Sequence, residues 1–355
     1  MMNDSLLSIC IPAYNNTSNL YTKVMSILSS YPYDDIEIVV SDNCSTDNAN
    51  EVFSKIKDKR FCYISNNKNE GSIVNGMRVL SNGKGKYVAF LLDKDNVNCD
   101  YIYDFMNVLK KVDFAMGYCT LNNSYNKKNS YQYFKDEYSC LKKLAYLSKH
   151  PTGYIFKNSL LKKLDIQNKY STEEQVMFFS CEFICADLSI YNSGIIINIP
   201  FFTMTKLLSN SNTNGNENGT KTFSKTKNNL YFLPKNRFKL FVKYVKHLNT
   251  LNVSNKTKQK IFIKLMFDVY KQIIINYRFM IEDNTICKHY KINKTNINFM
   301  QLIKINFDLS KNIFFSTVFN KNLINIITLS GISLIFFFLI FFYPVIKIIK
   351  YKRNI

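Results

Sequence analysis

The sequence predicts an α/β protein whose front half folds around a largely parallel sheet and whose back half is helical, basic and membrane-seeking. Three observations carry this reading. β-branched apolar runs alternate with helical stretches across residues 6–92, and each run closes on a polar cluster. Residues 1–200 carry 22 basic and 21 acidic side chains, whereas residues 201–355 carry 25 basic and only 5 acidic ones. Residues 324–346 contain no charge at all.

Taken in order, residues 6–13 (LLSICIPA) read as a buried strand closed by Pro12. Asn15, Thr17 and Ser18 supply N-cap candidates for a helix running to Ser29. Residues 36–41 (IEIVVS) form a second strand ending at Asp42, followed by a helix over 47–57. A third strand over 61–65, a helix over 71–81 and a fourth strand over 87–92 (YVAFLL), ending at Asp93, complete the alternation. In such sheets the ligand crevice lies beyond the carboxyl ends of the strands, so the residues just after each run are the ones that matter.

Residues 209–229 have almost no apolar side chain and cannot offset the entropy of their own ordering, which reads as a linker. Beyond it, residues 236–248 and 257–281 show helical apolar periodicity interleaved with Arg237, Lys239, Lys243 and Lys246. Basic amphipathic helices of this kind suit an anionic membrane surface. The 23 uncharged residues of 324–346 are long enough to cross a bilayer core. Lys347, Lys350, Lys352 and Arg353 follow, and the positive-inside rule would place them in the cytoplasm. The N-terminus shows no basic, secretory-type leader, which points to a cytoplasmic front half. The two expectations agree only if the helix is a tail anchor that departs from the rule, or bends near Pro344 and stays within one leaflet. The expected organisation is a catalytic α/β domain over 1–208, a polar linker over 209–230, a basic helical region over 231–323, an anchoring helix over 324–346 and a basic tail over 347–355.

The net charge of +21 is concentrated in the back half, which argues against a protein that coats nucleic acid. The nine cysteines form no regular framework and no C-x-x-C, so neither a disulfide scaffold nor a zinc site is expected. Cys181 and Cys185 share a helix face, and without nearby His they read as small buried apolar residues.

Three polar clusters would meet at one crevice: Pro12-Ala13-Tyr14-Asn15 after the first strand, Asp42-Asn43-Cys44-Ser45-Thr46-Asp47 after the second and Asp93-Lys94-Asp95-Asn96 after the fourth. Two carboxylates spaced D-x-D at a strand end can hold a hard divalent cation, which in turn binds a diphosphate. With ICIPAYN, VVSDNCSTD, NEG (Asn69 to Gly71) and GKYVAFLLDKDN in this order, residues 5 to about 100 resemble the nucleotide-sugar half of a family 2 glycosyltransferase with the GT-A fold. The likeness weakens beyond residue 110 and stops near residue 205.

The resemblance implies that Pro12, Tyr14, Asn15, Asp42 and Asn43 line the donor's base and ribose pocket, with Asp42 on the base. It implies that Asp93 meets the ribose or the metal, and that Asp95 is the direct ligand of Mn2+ or Mg2+. His150 and Gly153, in HPTGYIFK, would lie on the acceptor side. The catalytic base falls on Glu182, twelve residues before Gly194, although the E-D pair of the family reads Glu182-Phe183 here. Glu173, Glu174 and Asp187 are the other candidates. An acid inside an apolar helix is costly to bury without a role, which favours Glu182.

The implied reaction is inverting transfer from a nucleotide-diphosphate sugar, a UDP-sugar, to a hydroxyl of a lipid-linked or cell-surface oligosaccharide. The expected location is the inner membrane, with the catalytic domain facing the cytoplasm. A nucleotidyltransferase would carry Gly and Arg in the loop after the first strand, and AYNNTSNL has neither. A processive polysaccharide synthase would carry several spans and a Trp-containing motif, and the chain has no Trp. The rival from another class is an inactive membrane-bound sugar- or lipid-binding protein of the same fold.

Overall fold

The computed structural model describes residues 5–121, 129–170, 180–205 and 230–342. The expected linker, the alternative bases Glu173 and Glu174, Pro344 and the basic tail lie outside the described residues. The chain divides into two units, residues 1–219 and 220–355, and the division falls inside the stretch expected to be a linker.

In the first unit the strands are β1 (Leu7–Ala13), β2 (Ile36–Asp42), β3 (Phe61–Ser65), β4 (Tyr87–Phe90), β5 (Asn96–Val97), β6 (Met116–Cys119), β7 (Tyr131–Phe134), β8 (Tyr154–Lys157), β9 (Gly194–Ile197) and β10 (Phe202–Thr203). Eight of them form one sheet in the order β3-β2-β1-β4-β8-β6-β9-β7. The pairs β1/β2, β1/β4 and β2/β3 are parallel, which is the arrangement read from the alternating runs, and β6/β9 is parallel as well. β8 runs antiparallel between β4 and β6. HPTGYIFK therefore supplies the central strand that joins the two halves of the sheet.

On one face of β1 and β2, Leu7, Ile9, Ile11, Ile36, Ile38 and Val40 form a continuous core with Leu20, Val24 and Ile27 of α1 (Thr17–Ser30) and Phe105, Met106 and Leu109 of α4 (Ile102–Lys111). The period-2 pattern of the strands and the 3.6-residue pattern of the helices meet there. α2 (Ala49–Phe53) is much shorter than the helix expected over 47–57. Asp47 is committed elsewhere: its carboxylate accepts the amide of Thr17 (2.9 Å) and the Thr17 hydroxyl (2.7 Å), capping α1 across the sheet edge. Asn48 takes a left-handed φ of 59°, so α2 starts only after it. α3 (Ser72–Asn82) packs on β1 and β2 and follows Gly71, whose φ is 89°.

The second unit is helical: α9 (Pro234–Thr250), α10 (Asn255–Tyr270), α11 (Tyr277–Glu282), α12 (Asn284–His289), α13 (Phe299–Phe314) and α14 (Leu323–Phe341). The helix expected as continuous over 257–281 is interrupted by a π turn, Lys271–Asn276, which lets the consecutive Ile273 and Ile274 both be buried. Arg237, expected on a basic surface, is buried and lies 5.1 Å from the centre of the Tyr231 ring. Lys239 and Lys246 are exposed.

Among the described residues, α14 alone is long and apolar enough to cross a membrane. Leu329, Ile332, Phe336 and Ile340 form its inward stripe against α10 and α13. Its other face carries Ile327, Leu334, Phe338 and Phe341, which are 53–62% exposed. A contiguous apolar face of that kind marks contact with lipid or another protein.

Candidate active site

The ends of β1, β2 and β4 are tied to one another by side chains from the three polar clusters. Asp42, 2% exposed at the end of β2, accepts the amide of Ser45 (3.2 Å), the Ser45 hydroxyl and the phenol of Tyr63 (3.1 Å). A carboxylate offers about four lone-pair positions, so three donors leave one for a base N–H. Burial, with Asp42 adding to it, pushes the Tyr63 phenol above its usual range and keeps it a donor. Asn15 adopts a φ of 50°, donates its amide N–H to the Ser45 hydroxyl oxygen (2.8 Å) and accepts the Thr46 amide at its side-chain carbonyl (2.8 Å). Asn43 donates to Asn69 (2.8 Å) and accepts the Glu70 amide (3.0 Å), which fixes the NEG segment beside Asp42. Pro12 and Tyr14 are half-buried above this floor.

At the end of β4, the Asp93 carboxylate faces the Tyr14 amide at 3.5 Å. Its backbone carbonyl accepts the Asn16 side chain (3.2 Å) and the Lys23 ammonium. Lys23 escaped the sequence reading, yet it stands in register with Leu20, Val24 and Ile27 on the buried side of α1, which is the signal that marks it. Burial lowers its pKa to about 8, opposed by the charges of Asp93 and Asp95. Burial in turn raises Asp93 above the ordinary carboxylate value, only partly offset by Lys23.

Asp95 is completely buried. One carboxylate oxygen meets His150 Nε2 (2.5 Å) and the Thr152 hydroxyl (2.5 Å), while the other accepts the Thr205 amide (3.1 Å). Burial alone would raise Asp95, but the hydrogen bonds from His150 and Thr152 lead a set that brings it below the ordinary value. Thr205 arrives there because β10 pairs with β5 and folds the chain back over the D-x-D loop. Neither Thr152 nor Thr205 was legible as a partner, since both contacts depend on strand order.

Glu182 lies on α8 (Ser180–Leu188) and has no exposed surface. Its Oε1 accepts the Lys149 amide (2.7 Å) and the Tyr154 phenol (3.1 Å). Residues 149–152 thus connect two acids: Lys149 binds Glu182, and His150 and Thr152 bind Asp95. The alternative Asp187 is taken up by Lys169 (2.7 Å) and the Tyr170 phenol. Cys181 and Cys185 are buried, and burial raises both thiols, as expected of apolar packing residues.

Gly153 closes this segment. Its amide donates to the Phe90 carbonyl (2.9 Å), its carbonyl accepts the Cys119 amide (2.7 Å) and its φ is +101°. A Cβ here would sit 2.6 Å from the Cys119 carbonyl oxygen. Gly153→Ala should destabilise the unit by about 2 kcal/mol or more, the upper part of the range for forced backbone strain. Thermal unfolding checks this, at roughly 2–4 °C lost per kcal/mol for a unit of this size.

Residues 8–172 match the family model described as glycosyl transferase family 2. This stretch is a family 2 glycosyltransferase domain. Over 91 residues the chain is 42% identical to the Escherichia coli UDP-Glc:alpha-D-GlcNAc-diphosphoundecaprenol beta-1,3-glucosyltransferase WfaP, covering 26% of this chain and 36% of that one. An uncharacterized glycosyltransferase of Mycoplasma genitalium is 30% identical over 46% of this chain and 51% of its own length. The putative teichuronic acid biosynthesis glycosyltransferase TuaG of Bacillus subtilis is 32% identical over 31% of this chain and 42% of its own. The chain thus spans about a third to a half of these relatives. Among solved structures, residues 1–349 of S. aureus TarS in complex with UDP superimpose with a TM-score of 0.54 at 12% identity, covering 94% of this chain and 89% of that one. At that identity the likeness is one of fold, and it agrees with the GT-A architecture of the mixed sheet.

Proposed function

We propose that this chain is an inverting glycosyltransferase that moves a sugar from a UDP-sugar to a hydroxyl of a lipid-linked or cell-surface oligosaccharide. The observation that carries it is the convergence of Asp42, Asp93, Asp95 and Glu182 on strand ends and one connecting segment of a family 2 domain. Asp42, steadied by Ser45 and Tyr63, accepts the N3–H of uracil, while Tyr14 and Asn15 border base and ribose. The similar proteins support the donor and acceptor classes: WfaP is a UDP-glucose transferase with a diphosphoundecaprenol-linked acceptor, TuaG is assigned to teichuronic acid biosynthesis, and TarS binds UDP.

The residues present fit a divalent cation. Among the described residues no three His, Cys, Asp or Glu side chains cluster. An Asp95 carboxylate with Asp93 beside it suits a cation that takes most of its ligands from water and substrate phosphate, as Mg2+ and Mn2+ commonly do. When bound there, the cation would neutralise charge on the departing diphosphate. Glu182 takes the proton of the acceptor hydroxyl. Calorimetric titration of UDP into the detergent-solubilised protein, with and without Mn2+, tests the donor site. Metal-enhanced binding is expected, and no binding to the folded protein would overturn the reading.

The acceptor class extends to location: we infer an inner-membrane protein whose catalytic domain faces the cytoplasm, held by α14 and by basic residues of the second unit on an anionic surface. The outward face of α14 supports membrane contact. Burying one large apolar side chain stabilises by about 1.5–3 kcal/mol, so Leu334→Glu with Phe338→Glu should reduce flotation with anionic vesicles by at least tenfold. Unchanged flotation of the double variant would detach α14 from membrane binding.

A further inference from the structure

Asp95 has no exposed surface, whereas the His150 side chain that meets it is 21% exposed. The imidazole is therefore the member of this pair that solvent reaches. His150 Nε2 and one Asp95 oxygen lie 2.5 Å apart, with the Thr152 hydroxyl 2.5 Å from the same oxygen. A nitrogen donor and an oxygen donor therefore lie side by side, with the carboxylate also held by Thr152 and by the Thr205 amide at 3.1 Å. Imidazole is the commonest side-chain ligand of metals, and carboxylate suits manganese. We propose that His150, through Nε2, is a direct ligand of the divalent cation together with Asp95, which places it on the metal side of the crevice and not on the acceptor side.

The inference rests on the metal-dependent donor site proposed above, and it adds a nitrogen to a site otherwise made of oxygens. Two consequences follow from the geometry. The contact between His150 Nε2 and Asp95 would have to open for a metal to enter, because Nε2 ligates only through its lone pair. Of the two groups, His150 is the freer to move, since Asp95 keeps its bonds to Thr152 and Thr205. The 149–152 segment then links metal occupancy to the Lys149 amide that holds Glu182. The metal ligand and the base would be set in place by one stretch of chain.

The test is pulsed electron paramagnetic resonance of Mn2+ bound to the full-length protein in the presence of UDP. The expected result is a 14N modulation that changes to 15N when the wild-type protein is made with 15N-histidine, a comparison that needs no substitution. His150→Gln should abolish the modulation and weaken Mn2+ binding by at least the 10- to 100-fold that even outer-shell changes produce. Mn2+ bound with UDP but showing no histidine nitrogen would overturn the assignment of His150 and leave the metal-dependent donor site standing. A histidine signal that survives in His150→Gln would overturn it as well. Failure of the folded wild type to bind Mn2+ in the presence of UDP would overturn both.

Discussion

Asp95→Asn is expected to abolish the metal-dependent part of UDP binding while leaving the metal-independent part intact. The reason lies in what Asn retains. Its carbonyl can still accept the Thr152 hydroxyl and its volume is nearly unchanged, so the link to residues 150–152 should hold, while its NH2 replaces the oxygen that accepts the Thr205 amide. What disappears is the negative charge, in a position with no solvent to replace it. A hard divalent cation depends on charged oxygen at such a site. The loss should exceed the 10- to 100-fold typical of changes one shell further out. Asp42, Ser45 and Tyr63 form a separate group at the end of β2, so affinity measured in a chelator should not move. Equal Mn2+ enhancement in wild type and variant would remove Asp95 from the metal site and would take the D-x-D reading of Asp93 and Asp95 with it.

The contrast between these two groups also shows what a sequence can and cannot display. Asp42 and Asp93 were legible because each closes an apolar run, and Asn43 and Asp95 because they stand one and two residues further on, where a strand end fixes the path of the chain. The parallel order of β1, β2, β3 and β4 followed from the alternation of strand and helix. His150 and Gly153 were legible as a motif but not as partners of the metal loop. Their position depends on β8 entering the sheet antiparallel between β4 and β6, which no local pattern specifies. Asp47 shows the same limit in reverse. Read locally it starts α2, whereas in the fold it caps α1, and the short α2 results from that long-range bond. Lys23 carried a visible signal, a cation on the apolar stripe of a helix, and only the nearby carboxylates explain how its charge is tolerated there.

Glu182→Gln should preserve UDP and Mn2+ binding and lower sugar transfer by about 10²–10⁴-fold, the usual contribution of a positioned general base. Glutamine suits the comparison because its carbonyl oxygen can still accept the Lys149 amide and the Tyr154 phenol. Both bonds therefore survive, and with them the register of residues 149–153 against Asp95. Tyr154→Phe separates structure from chemistry: it removes one of those donors from a buried carboxylate without removing the carboxylate. If Glu182 served only to hold the segment, the glutamine variant would keep both UDP binding and transfer, and Tyr154→Phe alone would disturb them. If it takes the acceptor proton, the glutamine variant loses turnover alone, and Tyr154→Phe keeps most of it. Normal transfer by Glu182→Gln would exclude Glu182 and move the base to Glu173 or Glu174. Asp187, already occupied by Lys169 and Tyr170, is the weaker choice on geometry.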